Sequence, residues 1–374
     1  MMKCLFLIFS GLIFASACSI ADDTIDTYIS REMRLRNIPG VAIAIIDHGR
    51  ATTRTYGFAN LETDSPVDTN SVFEIASVTK PFTATAIMML VEEGKVHLDD
   101  SISTFIQHAP AVWKGITVRQ LLSHTSGVRG GGWVECDGSP LLEISTQQQF
   151  DDIAKSPLLF PSGDSASYSD PGYFLLGMII EKVSGMKYGE FMQQRIFNPA
   201  GMTSTRILDR REVVKNHVSC YTLRNGQIEN GRRVWQHELP SYFGMASTVE
   251  DLIRWDSALG KGVILKPGSC ATMWQPTKLK SGKEALLDGQ HYGLGWFIQN
   301  VNGHRIVGHM GFLGSMIVRF LDDGLTIIVL TNLDTASGSH HVKLALGLAS
   351  LMRPEFAPVF APYLDDNTEG SKVK

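Results

Sequence analysis

The chain has 374 residues, 44% of them hydrophobic and 19% charged, and carries a net charge of −4. That apolar share can build a sizeable core and excludes global disorder. The slightly acidic balance, with a pI of about 6.3, leaves no basic footprint for nucleic acid or for an anionic membrane.

Met1-Met2-Lys3 precedes an apolar run from Leu5 to Ala17, followed by small residues and then Asp22-Asp23. A basic start, a short apolar stretch and small residues have the form of a secretory signal peptide. The run falls short of the roughly 20 residues that span a bilayer. Residues 1–21 are therefore expected to be removed after Ser19-Ile20-Ala21, and the protein to be exported, periplasmic or secreted. Ala15-Ser16-Ala17-Cys18 is a second candidate processing site, which would leave a lipid anchor on Cys18. No later stretch approaches 18 apolar residues, so no transmembrane span is expected in the mature chain. Beyond the leader only Cys136, Cys220 and Cys270 remain; they allow three alternative single disulfides, and their spacing matches no metal site.

Residues 23–37 read as a helix that ends at Pro39-Gly40, and Val41–Ile46 with Ala51–Phe58 as a hairpin. Ser77–Glu93 is apolar nearly all round, the mark of a buried helix. Pro171–Val183 and Val249–Leu259 are two further apolar helices. Strand signals return with Gly295–Val301 and His304–His309 around Asn302-Gly303, a dipeptide that favours tight hairpins. Met316–Leu321 and Leu325–Leu330 make another hairpin, and Val342–Met352 reads as a helix. Strands at both chain ends with helices between them predict an α/β (α+β) fold: one antiparallel sheet flanked by terminal helices, with an inserted helical region. The expected division is 22–75 plus 290–360 for the sheet domain, 76–289 for the helical domain and 361–374 for a loose polar tail. A site would lie at the seam between them.

Three short elements carry chemistry. Ser77-Val78-Thr79-Lys80 opens the buried helix, where residues three apart share a face and the helix start offers free N–H groups. The same letters at Ser184–Lys187 and Ser371–Lys374 lack that setting. A Lys in an apolar helix is costly unless paired or given a chemical task. Tyr168-Ser169-Asp170 precedes the second helix; its Tyr could relay a proton, or Asp170 could simply be an N-cap. His309-Met310-Gly311 ends a C-terminal strand, where Gly311 would let a substrate approach closely.

Together these elements resemble the serine hydrolases that include class C β-lactamases, DD-peptidases and β-lactamase-like carboxylesterases, whose pattern is Ser-x-x-Lys, Tyr-x-Asn, then Lys/His-x-Gly. Leu121–Gly127, Tyr173–Gly177, Phe197–Met202, Ala246-Ser247-Thr248 and Tyr292–Trp296 look like the same family, so the resemblance covers about residues 25–352. It implies that Ser77 is acylated, that Lys80 and Tyr168 manage its proton, and that the backbone N–H groups of Ser77 and Phe312 form the oxyanion hole. It implies a small-molecule or peptide substrate and neither metal nor cofactor.

Two departures stand out. Asp170 replaces the Asn, and a carboxylate can only accept hydrogen bonds. At about 4 Å it would favour the Lys80 cation by ~4 kcal/mol at an effective dielectric of 20. Lys80 is thus expected to stay charged and fixed by Asp170, with Tyr168 as the base. His309 replaces Lys and is ordinarily only about a quarter protonated at pH 7; Met310 replaces a hydroxyl residue. Both changes weaken recognition of a substrate carboxylate. The sequence thus points to an ester, amide or peptide hydrolase, esterase-like or DD-peptidase/D-aminopeptidase-like. The alternatives are a true class C-type β-lactamase and a catalytically silent protein that binds a cell-wall ligand.

Overall fold

The computed structural model describes residues 9–129, 145–209, 211–231 and 241–365, with side chains from Asp23 onward. The start of the expected leader, Cys136 and the end of the tail lie outside the described residues.

A nine-stranded antiparallel sheet forms the body. Its strands are β1 (Gly40–Asp47), β2 (Arg50–Asn60), β3 (Ser65–Pro66), β4 (Leu286–Leu287), β5 (Gln290–Tyr292), β6 (Phe297–Val301), β7 (His304–Gly311), β8 (Ser315–Phe320) and β9 (Leu325–Thr331). They run in the order β3-β2-β1-β9-β8-β7-β6-β5-β4, so strands from the two ends of the chain lie side by side, Val41 opposite Thr331 and Asp47 opposite Leu325. The hairpins are those expected, for a visible reason. His48-Gly49 and Asn302-Gly303 both sit at positive φ (48° and 80°, 51° and 91°), the conformation of a tight turn that matches strand twist.

Sheet strands buried on both faces split their side chains by the two-residue period. Ala42, Ala44, Ile46, Ile317, Ile328 and Leu330 face the helical insert, whereas Val41, Ile43, Ile45, Val318, Ile327 and Val329 face the terminal helices. Those terminal helices are α1 (Phe9–Arg36), α5 (His340–Met352) and α6 (Ala357–Leu364). The insert contributes α2 (Thr79–Glu92), α3 (Asp170–Ser184) and α4 (Val249–Gly260). Phe82 of α2 stacks on Trp255 of α4 at 3.9 Å, and Trp255 on Trp296 at 5.7 Å, which ties the insert to the sheet.

Three details differ from expectation. Residues 361–364 belong to α6 rather than to a loose tail, because Phe360 is buried against Phe320 and Phe356. Ser77 precedes α2 in a 3₁₀ turn, Ala76–Val78, rather than opening the α-helix itself. Cys220 and Cys270 are both buried and are not joined to each other by a disulfide.

At the start of α5, His341 is 2% exposed and neither ring nitrogen has a hydrogen-bond partner among the described residues. Burial, with His340 beside it, pushes its pKa down to about 3. An unfolded His binds a proton near pH 6.5, so stability falls as pH drops through the interval from 6.5 to about 3. From pH 6.5 to 4.5 this one residue is expected to cost about 2 kcal/mol. Urea unfolding at the two pH values should therefore show a smaller pH penalty in His341→Leu than in wild type. Equal penalties would refute the assignment.

Candidate active site

The site starts from a bend that the chain makes at some cost. A short strand, Phe73–Glu74, pairs with Met245–Ser247, and Ile75 N–H donates to the Met245 carbonyl at 2.9 Å. Ala76 then turns at φ 44°, a left-handed conformation that costs a non-glycine residue roughly 1 kcal/mol or more. Ser77 thereby emerges at the seam between insert and sheet, with its N–H in the first turn, where intrahelical acceptors are lacking.

Lys80, one turn on, is completely buried. Its Nζ lies 3.1 Å from Ser77 Oγ, 3.0 Å from the Tyr242 carbonyl and 2.6 Å from Asp170 Oδ1. Asp170 is free for this contact because Ser169, not Asp170, caps α3: its side chain accepts the Gly172 N–H at 3.1 Å. Tyr168 completes the group. Its ring centre is 4.6 Å from Lys80 Nζ, and the Ser77 side chain acts on its hydroxyl.

Burial alters the balance that charge alone sets between Lys80 and Tyr168. Burial is the largest influence on Lys80 and lowers its pKa; Asp170 pulls it back up without cancelling the effect. Tyr168 moves the other way. Burial and then the Asp170 charge raise its hydroxyl well above 10, opposed by the Ser77 side chain. The carboxylate does act on Lys80 in the anticipated sense, but it faces a desolvation cost that charge counting leaves out. Burial thus shifts Lys80 toward its neutral amine and Tyr168 toward its protonated phenol.

His309 is 2% exposed, and its Nδ1 lies 2.8 Å from the Met310 carbonyl. A carbonyl can only accept, so Nδ1 carries the proton and Nε2 accepts from the Tyr292 hydroxyl at 3.1 Å. Burial and the nearby Lys80 push the His309 pKa down to about 3. The quarter-charged imidazole expected from the sequence is therefore neutral here. Gly311 lets β7 close on the Ser77 bend: a Cβ there would run into the Ile75 carbonyl and Ser315 Oγ and stand 3.2 Å from Ala76 Cβ. Ser315 Oγ donates to the Ile75 carbonyl at 2.7 Å. This contact brings the turn that carries Phe312, whose side chain is 56% exposed, beside the nucleophile.

The sequence-predicted residues thus gather in one place, and the Ser184–Lys187 copy does not join them. Ser184 Oγ bonds its own helix at Ile180, and Lys187 lies on the surface near Glu181. Residues 371–374 lie outside the described residues. Sequence reasoning missed Tyr242, whose carbonyl holds Lys80, and the layer formed by His124, Tyr173 and Tyr292. The last three sit in stretches noted for their family likeness, and polar aromatic residues at buried positions were the available signal.

A family model, Beta-lactamase, matches residues 25–350. The chain belongs to the beta-lactamase family. "Penicillin-binding protein 4*" of Bacillus subtilis (strain 168) is 33% identical over 298 residues, which is 74% of this chain and 64% of that protein. The chain thus spans less than two thirds of that relative's length. Among solved structures, the octameric penicillin-binding protein homologue from Pyrococcus abyssi superposes with a TM-score of 0.76 at 26% identity, covering 88% of this chain and 77% of its own. "EstCE1, a hydrolase with promiscuous acyltransferase activity" shares the fold with a TM-score of 0.72 at 23% identity, covering 87% and 98%. No described helix is long and apolar enough to cross a membrane.

Proposed function

We propose that the protein is an exported serine hydrolase that cleaves an ester, or an amide or peptide bond, through an acyl-enzyme on Ser77. The observation that carries this is the placement of Lys80 Nζ among three oxygens, Ser77 Oγ, the Tyr242 carbonyl and Asp170. A neutral amine has two hydrogens and one lone pair. The carbonyl and carboxylate can only accept, so they take the two hydrogens and the lone pair is left for the Ser77 proton. As that proton moves to Lys80, Ser77 Oγ bonds the substrate carbonyl carbon, and the N–H groups of Ser77 and Phe312 hold the resulting oxyanion. Collapse expels the leaving alcohol or amine, which takes the proton from Lys80, directly or through the Tyr168 hydroxyl. Water then loses a proton to the same amine as its oxygen bonds the acyl carbon; collapse breaks the Ser77 Oγ–acyl bond, Lys80 returns the proton to Ser77 Oγ, and the acid leaves.

Substrate preference follows from the strand. A neutral His309 offers no fixed charge to a substrate carboxylate, Met310 offers no hydroxyl, and Phe312 presents an apolar rim. These features favour an uncharged ester over penicillins, cephalosporins or D-Ala-D-Ala peptides, all of which carry a carboxylate. Hydrolysis of a short-chain p-nitrophenyl ester beside a chromogenic cephalosporin tests both parts. Ester turnover that disappears in Ser77→Ala, with a cephalosporin rate near zero, is the expected result. Rapid cephalosporin turnover would make the protein a β-lactamase, and turnover that survives Ser77→Ala would remove the serine mechanism.

A further inference from the structure

His124 lies outside the set of groups that handle the Ser77 proton, yet it holds three consecutive residues of the loop that supplies two of them. Its carbonyl accepts the Ser167 N–H at 3.0 Å, its ring lies against Tyr168 with centroids 4.4 Å apart, and its Nδ1 accepts the Ser169 N–H at 3.1 Å. The residue is 1% exposed and sits at φ 59°. Tyr173 and Tyr292 enclose the ring at 5.1 and 4.8 Å, and Nε2 has no hydrogen-bond partner among the described residues. Its segment is anchored in turn, since the Leu122 carbonyl accepts from both the Tyr173 hydroxyl at 2.8 Å and the Gly295 N–H at 3.2 Å.

We infer that His124 is a positioning residue for the reaction: its Nδ1 lone pair fixes the Ser169 backbone, and so sets where the Tyr168 hydroxyl and the Asp170 carboxylate meet Ser77 and Lys80. Ser169 lies between those two residues and also caps α3. A shift of its peptide therefore moves the phenol and the carboxylate together. Displacements of about 1 Å at reacting groups cost on the order of a hundredfold in rate. The inference rests on Ser77 being the nucleophile.

The test compares His124→Asn with His124→Leu. Asn keeps a short acceptor for the Ser169 N–H and tolerates positive φ, whereas Leu keeps bulk but accepts nothing. Ester hydrolysis is measured per active site, counted by titration with a fluorescent phosphonate that labels Ser77. Leu is expected to lower kcat about a hundredfold with KM changed less than about threefold, and Asn to restore kcat to within about tenfold of wild type. Equal losses in the two variants would overturn the inference. So would a Leu variant whose kcat per titrated site is that of wild type, which would leave His124 a structural role alone. Ser77→Ala is run alongside: if it still turns over ester, the proposed function fails whatever the His124 variants do.

Discussion

Lys80→Met is expected to lower kcat/KM for an ester by about a thousandfold or more, the scale of losing a positioned general base. Met preserves the length and apolar stem of a side chain that is completely buried, so thermal unfolding should show a folded protein. The pH–rate profile carries more information than the loss. Lys80 must be neutral to act, so activity falls as pH drops through its folded pKa, which burial holds below the ordinary lysine value. Asp170→Asn removes the one charge that favours the Lys80 cation, and the acid limb should move to lower pH by about a unit or more. Tyr168→Phe should keep the limb and lose rate. Two outcomes would overturn this: Asp170→Asn and wild-type limbs that superimpose, or a wild-type limb above pH 10 that vanishes in Tyr168→Phe. The second would hand the base to Tyr168.

The fold could be read from the sequence wherever one residue type has one physical use. Asn302-Gly303 makes a hairpin because both residues tolerate positive φ, and Ala42/Ala44/Ile46 alternate with Val41/Ile43/Ile45 because the sheet is covered on both faces. Ser77, Lys80 and Asp170 could be read as partners, since a buried ammonium needs a counter-charge. The balance between burial and charge could not, because it depends on how completely neighbouring segments exclude water. The reading from charge alone, a Lys80 cation beside a Tyr168 base, leaves out the desolvation that favours a neutral Lys80. Tyr242 holds Lys80 through its backbone carbonyl, which any residue type can supply, so its letter carried no signal. His124 meets the Tyr168 loop through its ring as well as its carbonyl, and only the chain path from Leu121 to Ser126 shows which backbone its Nδ1 reaches.

Gly311→Ala is expected to lower kcat by a hundredfold or more with little change in KM, the effect of removing an oxyanion donor rather than ground-state binding. The backbone at Gly311 is not left-handed, so the objection to a side chain is space and not conformation. Two of the three atoms it would strike, the Ile75 carbonyl oxygen and Ala76 Cβ, belong to the bend that presents Ser77. The third, Ser315 Oγ, is committed to that same carbonyl. Ser315 could rotate away only by giving up its hydrogen bond, and the Ile75 backbone cannot move without moving Ser77. The strand end must therefore retreat, taking the Phe312 N–H from the oxyanion and leaving the Ser77 N–H alone. Because Lys80 is untouched, the acid limb of the pH–rate profile should stay where it is in wild type. A variant that keeps its kcat per titrated site would show that the oxyanion is held without the close approach of β7. A shifted limb would show that the insertion disturbs Lys80 instead. The two variants thus separate the halves of the mechanism: Lys80→Met removes proton transfer with the oxyanion hole intact, and Gly311→Ala does the reverse.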